Sequence, residues 1–181
     1  MPFFIGIVPP EEYKEQILVF RNKWAKTFRN RWDINGFRAP VEPHITVKLP
    51  NGLTEDMIWL ERVRETCASF PSFQITLSKP GSFGTAVAFL SVESKEIFRL
   101  HKNLVDAISP PPEFIDRNTE LDNFIPHLTL GQTKWGMTEA EIIEMKSAAS
   151  EVLPPFPSFD VTSVRLFDIS NNVPLEDIKL A

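Results

Sequence analysis

Two short segments of the chain nearly repeat each other, Pro43-His44-Ile45-Thr46-Val47 and Pro126-His127-Leu128-Thr129-Leu130. Two of the three histidines lie in them. Both runs read as β-strand, in which successive side chains alternate between faces. His and Thr two apart therefore share a face, while Ile45, Val47, Leu128 and Leu130 point the other way into a core. An imidazole ionises near pH ~6.5, so at neutral pH one ring can accept a proton while a second donates one. Two such rings flanking one phosphorus atom would take a proton from an attacking oxygen and protonate the leaving oxygen of a phosphodiester. The threonine hydroxyls would donate hydrogen bonds to the non-bridging oxygens, where charge concentrates in the transition state.

That scheme needs neither metal nor cofactor, and the residues for rival chemistries are missing. Neither motif has a second histidine three or four positions on, and the chain has one cysteine, so a zinc site is not expected. A Gly-x-Ser-x-Gly elbow is absent, and Gly81 and Gly84 form neither a dinucleotide nor a P-loop signature.

The elements that must position the motifs form a larger repeat. Each histidine lies at the same distance from the start of an upstream strand-like run, beginning at Phe3 in one case and at Ala86 in the other. One helical pattern separates each pair. Candidate helix N-caps, Thr54 and Thr138, follow the histidines at nearly the same spacing, and further strands open near Phe73 and Phe159. This is a twofold strand-helix-strand-helix-strand repeat. If its halves pack about a pseudo-twofold axis, the two His-x-Thr faces meet across one cleft. The fold class expected is α+β and bilobal, with antiparallel sheets lining a central cleft and helices outside, residues 1–181 forming one such domain.

Along the chain, a strand at 3–8 leads through Pro9-Pro10 into a helix with Tyr13, Ile17, Phe20, Trp24 and Phe28 inward. Residues 35–40 read as a loop. Thr54 with Glu55 and Asp56 signals a helix start, with Leu60, Val63 and Cys67 inward. A strand is expected from Phe73 to Lys79, a turn over 80–84, and a strand over 86–92. Ser94 is expected to cap a helix carrying Ile97, Leu100, Leu104 and Ile108, ended by three prolines. The loop from Pro110 to Phe124 is a candidate cleft wall or lid. Thr138 and Glu141 have capping-box spacing, and the chain closes with a strand near 159–169 and a polar tail.

The 181 residues are 43% hydrophobic and 24% charged, ordinary for a soluble globular protein. No apolar run reaches membrane-spanning length, and the N-terminus lacks the basic start of a signal peptide. The single cysteine, Cys67, makes a reducing cytoplasm the expected compartment. A net charge of −5 argues against coating long nucleic acid, while a small or terminal phosphate remains an allowed substrate.

On His44-Ile45-Thr46, His127-Leu128-Thr129, their apolar flanks and the element order, the chain resembles the two-histidine (2H) phosphoesterase superfamily. Within it the resemblance is to the 2′-5′ RNA ligase-like, RNA 2′,3′-cyclic phosphodiesterase group. The resemblance implies His44 and His127 as acid and base and Thr46 and Thr129 as phosphate binders. It also implies substrates among 2′,3′-cyclic phosphates and 2′-5′ linkages of RNA ends or small nucleotides. Many members place a basic residue shortly after the second threonine; here Gly131 and Gln132 stand there, with Lys134 beyond.

Four further residues are candidates for substrate binding, each with a plainer alternative. Lys48 continues the face of His44 and Thr46, as a phosphate contact or as a solvated rim lysine. Phe83 is placed to stack on a base or to plug the core. Arg38 and Lys134 are cleft-edge phosphate contacts or merely solvated. His101 reads as a packing or interface histidine and Cys67 as an inert core residue. Two readings besides the hydrolase stay open: a nucleotide or RNA-end binding protein with little turnover, and a 2′-5′ RNA ligase using the same groups in reverse.

Overall fold

The computed structural model describes residues 3–24, 42–115, 119–169 and 173–181. Its strands are β1 (Phe3–Ile7), β2 (Ile45–Lys48), β3 (Phe73–Phe83), β4 (Val87–Glu93), β5 (His127–Gln132), β6 (Phe159–Val161), β7 (Ser163–Asp168) and β8 (Val173–Lys179). Its helices are α1 (Glu11–Asn22), α2 (Leu60–Ala68), α3 (Glu96–Ile108) and α4 (Glu139–Val152).

The strands form one curled antiparallel sheet in the order β6-β3-β4-β5-β2-β1-β7-β8. Its two halves, β6-β3-β4-β5 and β2-β1-β7-β8, are related as the repeat requires. Each half borrows from the other repeat, since β3 pairs with β4 and β7 pairs with β1. The exchange ties the halves together. They meet at β2 and β5, the two motif strands, where the pair Ile45↔Leu128 is in register.

Helices α1 and α4 pack behind β5 and its neighbours, while α2 and α3 cover the other half. Of the inward residues expected of the helices, Tyr13, Ile17, Phe20, Val63, Cys67, Ile97, Leu100, Leu104 and Ile108 are buried, and Trp24 and Leu60 are partly buried against the core. So are Ile45, Val47, Leu128 and Leu130, the motif residues that alternate with histidine and threonine. Burial of such side chains contributes about 1.5–3 kcal/mol each, which fixes the register and hence which face the histidines take. The capping box forms as read: the Thr138 hydroxyl accepts from the Glu141 amide, and the Glu141 carboxylate accepts from the Thr138 amide at 2.6 Å.

Several elements differ from expectation. Strand β3 runs on through Pro80 to Phe83, because its register shifts between Leu77 and Pro80, where a bulge tolerates proline. Gly81 lies under the Phe89 ring, 2.6 Å from where a Cβ would sit, so only glycine lets that ring lie flat. The turn into β4 falls at Gly84, at φ +54°. Thr54 does not cap α2, which starts after Trp59; the Trp59 indole instead donates to the Thr54 carbonyl. Likewise α3 starts after Lys95, and the Ser94 hydroxyl donates to the Glu96 carboxylate rather than capping the helix. The closing strand is split at Thr162 into β6 and β7, which join opposite halves of the sheet. The tail is a strand, β8, paired with β7 along its length. Phe28, the loop at 35–40 including Arg38, and Asn171 and Asn172 lie outside the described residues. Among the described residues, no helix is long and apolar enough to cross a membrane.

Candidate active site

Each motif histidine follows a proline, and that proline helps set the ring. Proline has no N–H, fixes its own φ and holds the preceding residue extended. The carbonyl two positions before the histidine then faces the imidazole. His44 Nδ1 lies 2.8 Å from the Glu42 carbonyl and His127 Nδ1 lies 2.7 Å from the Ile125 carbonyl. A carbonyl only accepts, so in both rings Nδ1 carries a hydrogen and donates it. The other nitrogen, Nε2, is left to accept or deliver a proton.

The seam between β2 and β5 brings the motifs together. With Ile45 opposite Leu128, one step along the antiparallel register places His44 across from Thr129 and His127 across from Thr46. Directly opposed residues share a face, so two imidazoles and two hydroxyls stand on the side of the sheet away from the helices. All four side chains are half-buried. A proton on His127 would lower the His44 pKa, as expected of neighbours.

Aromatic rings wall both histidines. Phe4 and Phe167 lie 4.7 and 5.4 Å from the His44 ring, and Phe83 and Phe89 lie 4.9 and 5.2 Å from the His127 ring. These walls displace water, and that burial is the main reason both imidazoles are harder to protonate than usual. His44 is pushed down to about 4, burial and the nearby Arg21 cation outweighing the help of the Glu42 carbonyl. His127 is also lowered, by burial against the opposing effect of its Ile125 bond. Both rings therefore hold a proton less readily than a free imidazole, and a bound phosphate anion would make a proton easier to keep.

Three charged side chains gather at the first motif, and a fourth, Arg21, binds the second. The Glu42 carboxylate binds Lys14 Nζ at 3.0 Å and pairs with Arg165, and these two cations hold it below the usual carboxylate range despite its burial. Arg21, on α1, donates from Nη2 to the Thr129 carbonyl and lies over the Trp135 ring, Cζ to centroid 5.2 Å. Sequence reasoning passed over Arg21. The signal was there: it stands four positions after Ile17, on the buried stripe of α1, where a charged residue is out of place. Phe4, Phe89 and Phe167 were likewise not singled out; all three lie on strands that neighbour the motif strands or the next ones out.

The four substrate-binding candidates end in different places. Phe83 meets the edge of His127 in a T-shaped contact. Lys134 is exposed on the turn after β5. Arg38 lies outside the described residues. Lys48 departs from both of its readings: its side chain is fully buried and turned away from the cleft. Its ammonium donates to the Leu49 carbonyl at 2.8 Å, the Asn51 carbonyl at 2.6 Å and the Glu120 carboxylate at 2.6 Å. With all three donors engaged, Lys48 has none left for phosphate.

His101 packs as expected, stacked on Phe124 at 4.0 Å. Its Nδ1 donates to the Val47 carbonyl at 2.8 Å, and Nε2 accepts from the Leu121 amide at 2.9 Å. Together with Lys48–Glu120 it fastens the loop at 110–124, the candidate cleft wall, to the back of β2. Among the described residues, no group of three or more His, Cys, Asp or Glu side chains is arranged to hold a metal ion.

A sequence model of the 2′-5′ RNA ligase superfamily matches residues 16–172 of the chain. Solved structures align along nearly the whole length. Escherichia coli LigT complexed with NADP+ gives a TM-score of 0.60 at 20% identity, covering 99% of this chain and 97% of that one. TT0787 of Thermus thermophilus gives 0.59 at 19% identity, covering 99% and 98%. E. coli LigT complexed with phosphate gives 0.58 at 19% identity, covering 99% and 97%. No curated protein matches in sequence.

Proposed function

From the premise that this chain belongs to the 2′-5′ RNA ligase superfamily, a branch of the two-histidine phosphoesterases, we propose that it is a metal-independent phosphoesterase. It hydrolyses a 2′,3′-cyclic or 2′-linked phosphodiester of an RNA end or a small nucleotide. The observation that carries this reading is the seam at Ile45↔Leu128, which sets two His-x-Thr faces against each other with both Nδ1 atoms tied to carbonyls.

In this mechanism one Nε2 accepts the proton of the attacking oxygen while the other Nε2–H protonates the leaving ribose oxygen. Thr46 and Thr129 donate to the non-bridging oxygens, and held in place beforehand they need no reorganisation as charge develops. Phe83 and its neighbours offer apolar faces beside the phosphate, on which a base stacks. Complexes of E. coli LigT with phosphate and with NADP+ support a phosphate-bearing nucleotide as the ligand class.

The test is turnover of purified protein on 2′,3′-cyclic mononucleotides and a 2′-5′ dinucleotide in excess chelator. Hydrolysis of at least one, undiminished by chelator, is the expected result. Turnover that needs a divalent ion would overturn the mechanism. Nucleotide binding without turnover would make the chain a binding module instead, and joining of RNA ends would show the same groups running in reverse.

A further inference from the structure

Arg21 is 6% exposed, and its Nε and Nη1 are buried without a hydrogen-bond partner. Among the described residues no carboxylate pairs with it. A buried, unpaired guanidinium destabilises a fold, so its retention calls for a role beyond packing. Its one hydrogen bond fixes where it stands. Nη2 grips the carbonyl of Thr129, the residue directly across the seam from His44.

We propose that Arg21 is the positioning residue that divides labour between two otherwise matched histidines: anchored on the Thr129 carbonyl across the seam from His44, its cation makes His44 the general base and leaves His127 the general acid. This rests on the phosphoesterase reading above. The charged surroundings agree. His44 faces Arg21 from α1, the Glu42 carboxylate from its own segment and His127 from β5. The negative charge of Glu42 is already engaged by Lys14 from α1 and Arg165 from β7. His127 faces the Ile125 carbonyl and the Phe83 and Phe89 rings, none of them charged, with His44 across the seam. The Arg21 cation also adds to the burial that holds the His44 pKa down.

The step balances. His44 Nε2 takes the proton of the attacking oxygen as the new P–O bond forms. His127 Nε2–H gives its proton to the ribose oxygen as the old P–O bond breaks. Exchange with solvent returns both rings to their starting states.

The experiment is the pH profile of kcat/KM on a 2′,3′-cyclic mononucleotide for the wild type, H44A, H127A, R21M and R21K. H44A is expected to lose the low-pH limb and H127A the high-pH limb. R21M is expected to move the low-pH limb upward while leaving the other in place, and R21K, which keeps the charge, to return it toward the wild type. Limbs removed in the opposite order, or an R21M profile in which both limbs or neither move, would overturn the assignment while leaving the phosphoesterase reading intact. If R21M does not fold, NMR titration of the wild-type imidazoles decides: His44 must titrate below His127, and the reverse order refutes the proposal. A wild type with no turnover on any phosphodiester would remove the phosphoesterase reading itself.

Discussion

Phe4 and Phe167 stack on each other beside His44, with centroids 4.6 Å apart and planes within 8°, whereas Phe83 and Phe89 beside His127 are tilted by 39° at 4.5 Å. The difference follows from the strands. Near His44, Gly6 on β1 leaves space for the Phe167 ring arriving from β7; near His127 the glycine is Gly81 on β3 and the ring is Phe89 on β4. The backs of the motif strands differ in the same way. His101, a group held mainly neutral by burial, fastens Val47 of β2, while the charged Arg21 fastens Thr129 of β5. Duplication supplied two equal frames, and their fillings differ: Glu42, Lys14 and Arg165 gather beside His44, while the rings beside His127 carry no charge. Two imidazoles in identical surroundings would compete for one proton; unlike surroundings settle which ring holds it.

The comparison breaks most severely when either imidazole is removed. H44A or H127A is expected to lower kcat by about 10²–10⁴-fold with the fold retained, as measured by steady-state kinetics beside circular dichroism. A loss confined to one of the two would leave the other histidine a structural residue. Behind β2, the buried pair Lys48–Glu120 has no counterpart described behind β5. Lys48→Met removes the ammonium from the buried Glu120 carboxylate and is expected to cost about 3–5 kcal/mol in urea unfolding. A loss under about 1 kcal/mol, the range of a surface ion pair, would show that the pair is solvated.

The smallest effect is on stability against pH. All three imidazoles have folded pKa values below the ordinary 6.5, His44 the one pushed to about 4. Below pH 6.5 the unfolded chain binds more protons than the native one, so the stability these rings contribute is full above that pH and lost as pH falls toward 4. The Tm is expected to drop between pH 7 and pH 5, and H44Q is expected to shrink the drop. An equal drop in H44Q would mean that His44 is not desolvated.

Much of this was legible in the residues because the signals were local and doubled. The motif strands, the inward stripes of the helices and the capping box at Thr138 each rest on spacing that one element decides for itself. Strand β8 was not, since Ile178 is the residue of that strand that is buried and its pairing with β7 depends on an edge no local pattern announces. Lys48 was misplaced because strict strand alternation puts it on the histidine face, whereas the register of β2 against β1 shifts between Thr46 and Lys48 and the distant Glu120 meets it on the inner side. Arg21 showed only as a charge on the buried stripe of α1, because its partner, the Thr129 carbonyl, lies more than a hundred positions along the chain.

The double mutant H44A/H127A tests the central claim most directly, because two groups acting on one phosphorus atom in one step cannot contribute independently. Measured on a 2′,3′-cyclic mononucleotide, its loss in kcat is expected to be close to that of the worse single variant and far below the product of the two. Losses that multiply would contradict the account, placing the two histidines in separate steps or separate sites.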